Sequence, residues 1–226
     1  MTDGRVSLPS EASAGSSTSQ RLNQGDGSQD LAGLGRAVRR CRACPLWEGA
    51  SQAVPGEGPT DASLMLVGEQ PGDQEDRQGV PFVGPAGRVL DDALAAAGLQ
   101  RNSVYLTNAV KHFKWKPRGK RRLHEKPNRQ EVSACRPWLD HELALVQPEV
   151  LVLLGATAAQ ALLGSSFRLT QHRGRILHDT GLAPGVLATI HPSAILRLPD
   201  EADRRSARRE LANDLALAAR RSSTRR

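Results

Sequence analysis

Aromatic residues are scarce in this 226-residue chain: three Phe, three Trp and one Tyr make up only 3% of it. With so few flat side chains, one that falls in a Gly/Pro loop, as Phe82 does, is a candidate for stacking on a flat ligand as well as for capping the core. Cysteine is scarcer still, and three of them make a poor disulfide framework. Long apolar runs are missing too. No stretch is long enough to span a bilayer as a helix, and the N-terminus lacks the apolar centre of a secretory signal. These absences argue against a helical membrane protein and a disulfide-stapled secreted scaffold. We therefore expect a cytoplasmic, reducing compartment, where the cysteines serve as ligands or stay free thiols.

Positive charge is plentiful. The formal net charge is +7 and the isoelectric point about 10.0, which favours a polyanionic partner, nucleic acid before an anionic membrane surface. Part of the excess sits in the last residues, but the run over residues 111–126 lies inside the domain. Residues 1–30, rich in Ser, Gly, Gln and Asp without hydrophobic periodicity, read as a disordered leader. Residues 31–220 read as one domain and residues 221–226 as a basic tail, with a monomer the default expectation.

Within the domain, the apolar runs 64–67, 104–107, 150–154 and 186–190 lack polar alternation, as strands buried on both faces do. Helical spacing runs from Leu31 toward Cys41 and over residues 88–97, 128–146, 157–163 and 201–219. The alternation predicts an α/β fold, a three-layer α/β/α sandwich around a central four-stranded, mostly parallel sheet. In such folds chemistry collects beyond the carboxyl ends of the strands. That rule puts Gly68-Glu69-Gln70, Asn108, Gly155 and His191-Pro192-Ser193 on one rim.

The loop Gly68-Glu69-Gln70-Pro71-Gly72-Asp73 lets backbone approach a ligand closely and holds a carboxylate and an amide; alone, it is equally an ordinary strand-to-helix turn. His191-Pro192-Ser193 would bring an imidazole to face that acidic loop, a constellation able to handle an anionic leaving group. Cys41-x-x-Cys44 with the distant Cys135 signals a metal or cluster, with a thiol redox pair as the rival. A fourth ligand would have to be a His or a carboxylate. Lys120-Arg121-Arg122-Leu123-His124 reads by itself as a solvated basic loop that grips phosphates.

Together these residues resemble the uracil-DNA glycosylase superfamily in its iron-sulfur branch, families 4 and 5, from about Cys41 to the last helix. Gly68-Glu69-Gln70-Pro71-Gly72 is similar to the first catalytic motif, and Gly79-Val80-Pro81-Phe82-Val83-Gly84 to the uracil-stacking segment. Thr107-Asn108-Ala109-Val110-Lys111 is similar to the uracil-reading segment, and His191-Pro192-Ser193-Ala194-Ile195-Leu196-Arg197 to the second catalytic motif and its intercalating loop. Two departures point to the UdgX type. His112 stands where family 4 usually has cysteine, and the segment that follows is longer and carries Lys120-Arg121-Arg122-Leu123-His124.

The resemblance implies a [4Fe-4S] cluster held by Cys41, Cys44, His112 and Cys135. It implies uracil-containing DNA as partner, single strands preferred. Leu196 would wedge into the stack as the nucleotide flips, Phe82 would stack on the base, and Asn108 would read its edge. Gly68, Gln70, Gly72, Asp73 and Arg197 would complete the substrate site, and Lys120, Arg121, Arg122 and Ser193 would contact DNA. Glu69 and His191 would drive excision. In the UdgX type His124 then attacks C1′ and leaves the DNA bonded to the protein; in a conventional family-4 enzyme, water attacks and abasic DNA is released. A binding module without chemistry and a zinc-stabilised adaptor are the rivals from other classes.

Overall fold

The computed structural model describes residues 30–223. The expected leader lies outside the described residues except for Asp30, and of the expected tail only residues 221–223 are described. Asp30 caps the first helix, α1 (Leu31–Arg39), its carboxylate accepting from the Gly33 amide at 2.6 Å. The chain continues through α2 (Leu46–Gly49), β1 (Leu64–Gly68), α3 (Asp73–Gln78), α4 (Pro85–Ala96) and β2 (Tyr105–Asn108). A hairpin of β3 (Trp115–Arg118) and β4 (Arg121–His124) follows, then α5 (Arg129–Val146), β5 (Val150–Leu154), α6 (Ala156–Leu163) and α7 (Leu169–His172). The last elements are β6 (Ile176–Leu177), β7 (Gly185–Thr189), α8 (Pro192–Leu196) and α9 (Glu201–Ser223).

The central sheet has the order β2-β1-β5-β7-β6, parallel except where β6 meets β7. It is three-layered α/β as expected, with a fifth strand where four were predicted. β6 is two residues long, too short to leave a periodic trace, and it closes the sheet with a short edge that is hard to pair from outside.

Alternate residues of each central strand serve opposite cores. Leu64, Leu66, Val152, Leu154 and Leu187 pack with residues of α4 and α9, whereas Met65, Val67, Leu151, Leu153 and Val186 pack with α5 and α6. Burial on both faces is why the runs show no polar alternation. Each large aliphatic so enclosed contributes roughly 1.5–3 kcal/mol. Asn128 and Glu131 form the expected capping box of α5, each side chain accepting from the other's amide at 2.9 and 2.7 Å. The last helix runs to Ser223 and buries Ser222, so the folded domain extends into the expected tail.

The basic run also begins with a surprise. Lys111 is fully buried, its ammonium donating to Glu142 Oε2 at 2.7 Å, Thr107 Oγ1 at 2.7 Å and the Asn108 carbonyl at 2.9 Å. Glu142 also accepts from Thr107 Oγ1 and the Gly56 amide. The pair braces the end of β2, where Asn108 sits. Glu142→Leu would strand a buried cation at a cost of about 3–5 kcal/mol. Its thermal midpoint is expected to fall by roughly 10 °C, and adding Lys111→Met should recover most of the loss in a melting curve.

Candidate active site

The parallel register brings the carboxyl ends of β1, β2, β5 and β7 together, and a cavity of about 790 Å³ opens there. Glu69, Phe82, Asn108, His124, Thr157 and His191 all line it. The rim predicted from the strand ends therefore exists, and the β3–β4 hairpin adds His124 to it.

His191 ends β7's loop and caps α8. Its Nδ1 accepts from the Ser193 amide at 3.1 Å and lies 2.8 Å from the Ser193 hydroxyl. A nitrogen that accepts from an amide carries no proton, so in the neutral ring the proton sits on Nε2, free to be donated into the pocket. Burial pushes the pKa of His191 down to about 4, against the opposing pull of the nearby Glu69 carboxylate. Gly155 makes room for it: with φ at +90°, a Cβ there would come within 2.9 Å of His191 Cβ.

The lowered pKa has a consequence for stability. Between about pH 6.5 and 4 the unfolded chain binds a proton that the folded His191 refuses. This contribution is flat above that window and turns against folding as pH falls through it. Urea midpoints at pH 7 and pH 5 are expected to differ less in His191→Gln than in the unmodified protein.

Glu69 follows β1. Burial opposes its ionisation, but hydrogen bonds from His124 and Thr157 outweigh that and hold its pKa below the usual carboxylate value. His124 closes β4 opposite Trp115, and its Nε2 lies 3.1 Å from Glu69 Oε1 with the ring half exposed (49%). Phe82 is buried at left-handed φ (+55°), its ring centroid 6.3 Å from that of His191. Arg101 holds this strained loop by donating to the Pro81 carbonyl at 2.7 Å. Gly68 matters by what it lacks: a Cβ there would meet Asn108 Oδ1 at 2.4 Å and Phe82 Cζ at 2.6 Å.

Several expected substrate or DNA contacts have other work. Gln70 donates both amide hydrogens to the Lys114 and Glu125 carbonyls and accepts from the Lys114 amide, so it ties the stem of the hairpin rather than a ligand. Arg122 donates to Asp73 at 2.5 Å and to Asp76 at 2.6 Å, and its guanidinium lies over Phe113 and Trp115. It clamps the hairpin to α3 and is not available to grip phosphate. Asp73 is the other half of that clamp, also paired with Arg77. Gly72 donates to Glu75 Oε2 and starts α3 at the pocket wall.

The remaining expected contacts line the pocket or face solvent. Lys120 and Arg121 are exposed at the hairpin turn. Leu196, one of two large exposed apolar side chains among the described residues, stands 41% exposed at the pocket mouth beside Arg197. Arg197 donates to Ser193 Oγ at 3.3 Å. Thr157 and Lys126 line the pocket unforeseen. Asp76 and Glu75 are buried anchors that the motif reading passed over.

Of the expected cluster ligands, Cys44 and Cys135 are hydrogen-bonded neighbours. Cys135 packs with Leu46 and Val110, and Cys44 packs against the same group. A hydrogen bond from Cys135 lowers the Cys44 thiol to about 6, while the same bond and burial push Cys135 up. Cys41 Sγ accepts from Trp138 Nε1 at 3.1 Å. His112 is buried with Nδ1 lacking any partner. Among the described residues no three or more His, Cys, Asp or Glu side chains converge as a closed metal site. Three free thiols, one poised to ionise, and an orphaned imidazole nitrogen are nonetheless the donor chemistry that an iron-sulfur group needs.

Residues 55–216 match the family described as the Uracil DNA glycosylase superfamily. A type-4 uracil-DNA glycosylase of Pyrobaculum aerophilum is 36% identical over 197 residues, covering 83% of this chain and 92% of that one. One of Thermotoga maritima is 38% identical over 161 residues, covering 71% and 80%. One of Archaeoglobus fulgidus is 34% identical over 177 residues, covering 76% and 85%. The chain belongs to the uracil DNA glycosylase superfamily.

Proposed function

We propose that this protein excises uracil from DNA, acting as a monomer with single strands preferred, and that His124 then captures the sugar. The observation that carries the reading is the pairing of Glu69 and His124 across one pocket, with His191 Nε2 as a further donor into it. Breaking the N-glycosidic bond puts negative charge on the departing base and positive charge on the sugar. The His191 Nε2 proton answers the first and the Glu69 carboxylate the second. Asn108 offers a donor and an acceptor, complementary to the uracil edge and mismatched to that of cytosine. Phe82 supplies a face for the base, and exposed Leu196 fits the space it vacates in the stack.

For capture, an imidazole nitrogen of His124 forms a bond to C1′ as the base leaves. The ring gives up one proton and the uracil anion gains one, so the exchange balances. Glu69 Oε1, already beside His124 Nε2, is placed to receive the ring proton. A second reading, conventional multiple turnover with water as nucleophile, fits the relatives better, since they carry the name type-4 uracil-DNA glycosylase. Uracil release from a labelled oligonucleotide tests excision, and a denaturing gel of the same mixture separates capture from turnover.

Cys41, Cys44, Cys135 and His112 would hold a [4Fe-4S] cluster, which when bound ties the loop before α2 to the end of β2 and to α5. Localisation in the cytoplasm remains our proposal from composition. Among the described residues no helix is long and apolar enough to cross a membrane.

A further inference from the structure

Glu69 has a polar partner that neither its motif nor the family resemblance indicated. Thr157 stands in the first turn of α6, buried, and its hydroxyl donates to Glu69 Oε2. His124 Nε2 faces the other oxygen, Oε1. The two carboxylate oxygens are thus held by separate elements on opposite sides. The sheet itself arranges this: β1 and β5 are neighbours in register, Val67 beside Leu153, so the residues just beyond each strand meet.

We propose that Thr157 is a positioning residue that pins Glu69 Oε2, stopping the carboxylate from rotating and presenting Oε1 to the nucleophile at the sugar carbon. A carboxylate with one free rotation about its last bond spreads its charge over many orientations. One whose far oxygen accepts a fixed hydroxyl does not, and the charged form is favoured over the neutral one. The groups that line the pocket around Glu69 are His124 from β4, His191 beyond β7, Asp73 and Glu75 of α3, Lys126 and Arg197. Thr157 differs from these side chains in being a neutral hydroxyl. Its removal therefore changes Glu69 without adding or deleting a charge. Burial, which opposes ionisation of Glu69, would then act with one fewer hydrogen bond against it.

This inference rests on the excision reading for its kinetic consequence but not for its physical one. Thr157→Val keeps the shape and removes the donor; Thr157→Ser keeps the donor. In single-turnover excision, Thr157→Val is expected to move the acid limb of the rate to higher pH and to lower the rate about threefold on that limb. The half-saturating DNA concentration should stay within about twofold, and Thr157→Ser should restore the profile. In parallel, a carbon-detected NMR titration of the Glu69 carboxyl in the free protein should show its midpoint rising in Thr157→Val and returning in Thr157→Ser. An unmoved Glu69 midpoint in Thr157→Val overturns the proposal, whatever the kinetics. If the unmodified protein releases no uracil, excision falls, while the titration still decides what Thr157 does to Glu69.

Discussion

His124→Ala is expected to abolish a denaturation-resistant protein–DNA band that the unmodified protein forms with single-stranded uracil DNA, while uracil release continues. The reason is a division of labour in the pocket. In the proposed mechanism base departure calls on His191 and Glu69, which reach the cavity from β7 and β1 rather than from β4. Bond formation to C1′ calls on a nucleophile, and alanine has none. The adduct should therefore vanish outright, with free abasic DNA accumulating in its place as water takes over. The fold gives the substitution little to disturb. His124 is half exposed at the end of a hairpin, and the hairpin is anchored elsewhere: by Arg122 on Asp73 and Asp76, by Gln70 on the stem, and by Trp115 Nε1 donating to the Gly49 carbonyl. If the unmodified protein gives no band and turns over many equivalents of DNA, capture is wrong and conventional turnover is right.

That hairpin also marks where sequence reading stopped. The β-strand runs were legible because β1, β5 and β7 are buried on both faces, which leaves a plain signature of unbroken aliphatics. The rim was legible for the same reason, since strand ends locate it. Partners across the fold were not. An arginine inside Lys120-Arg121-Arg122 looks like its neighbours, yet Arg122 meets carboxylates 49 and 46 residues away, while Lys120 and Arg121 stay in solvent. Lys111 looks like a phosphate ligand and is instead the buried partner of Glu142, 31 residues on. Gln70 sits in a motif that suggests ligand contact, but its amide matches the spread of two carbonyls at the base of the hairpin. Thr157 lies in an Ala/Leu-rich helix whose pattern speaks only of packing; its meeting with Glu69 depends on β1 and β5 being adjacent, which a single sequence does not reveal. In each case the partner was set by topology.

Glu69→Gln should have the larger effect on rate. The amide matches the carboxylate in size, so packing around Thr157 and His124 survives, but the negative charge that the proposal sets against the sugar is gone. Charge placed in advance for a developing cation is worth far more in a water-poor pocket than in solvent. Excision is expected to fall by about 10²–10⁴-fold, and any capture with it, because the cation that His124 would trap no longer forms at a useful rate. Binding of uracil DNA should change little, since Phe82, Asn108 and Leu196 remain. The pH dependence supplies an internal check. Hydrogen bonds hold the Glu69 carboxyl below its ordinary value, so the part of the acid drop in the unmodified rate that is due to Glu69 should lie below the pH at which an ordinary glutamate titrates. The residual rate of Glu69→Gln should lack the part of that drop due to Glu69. A Glu69→Gln rate within a few-fold of the unmodified one would mean that this carboxylate does not stabilise the transition state, and the chemistry would have to be rebuilt around His191 alone.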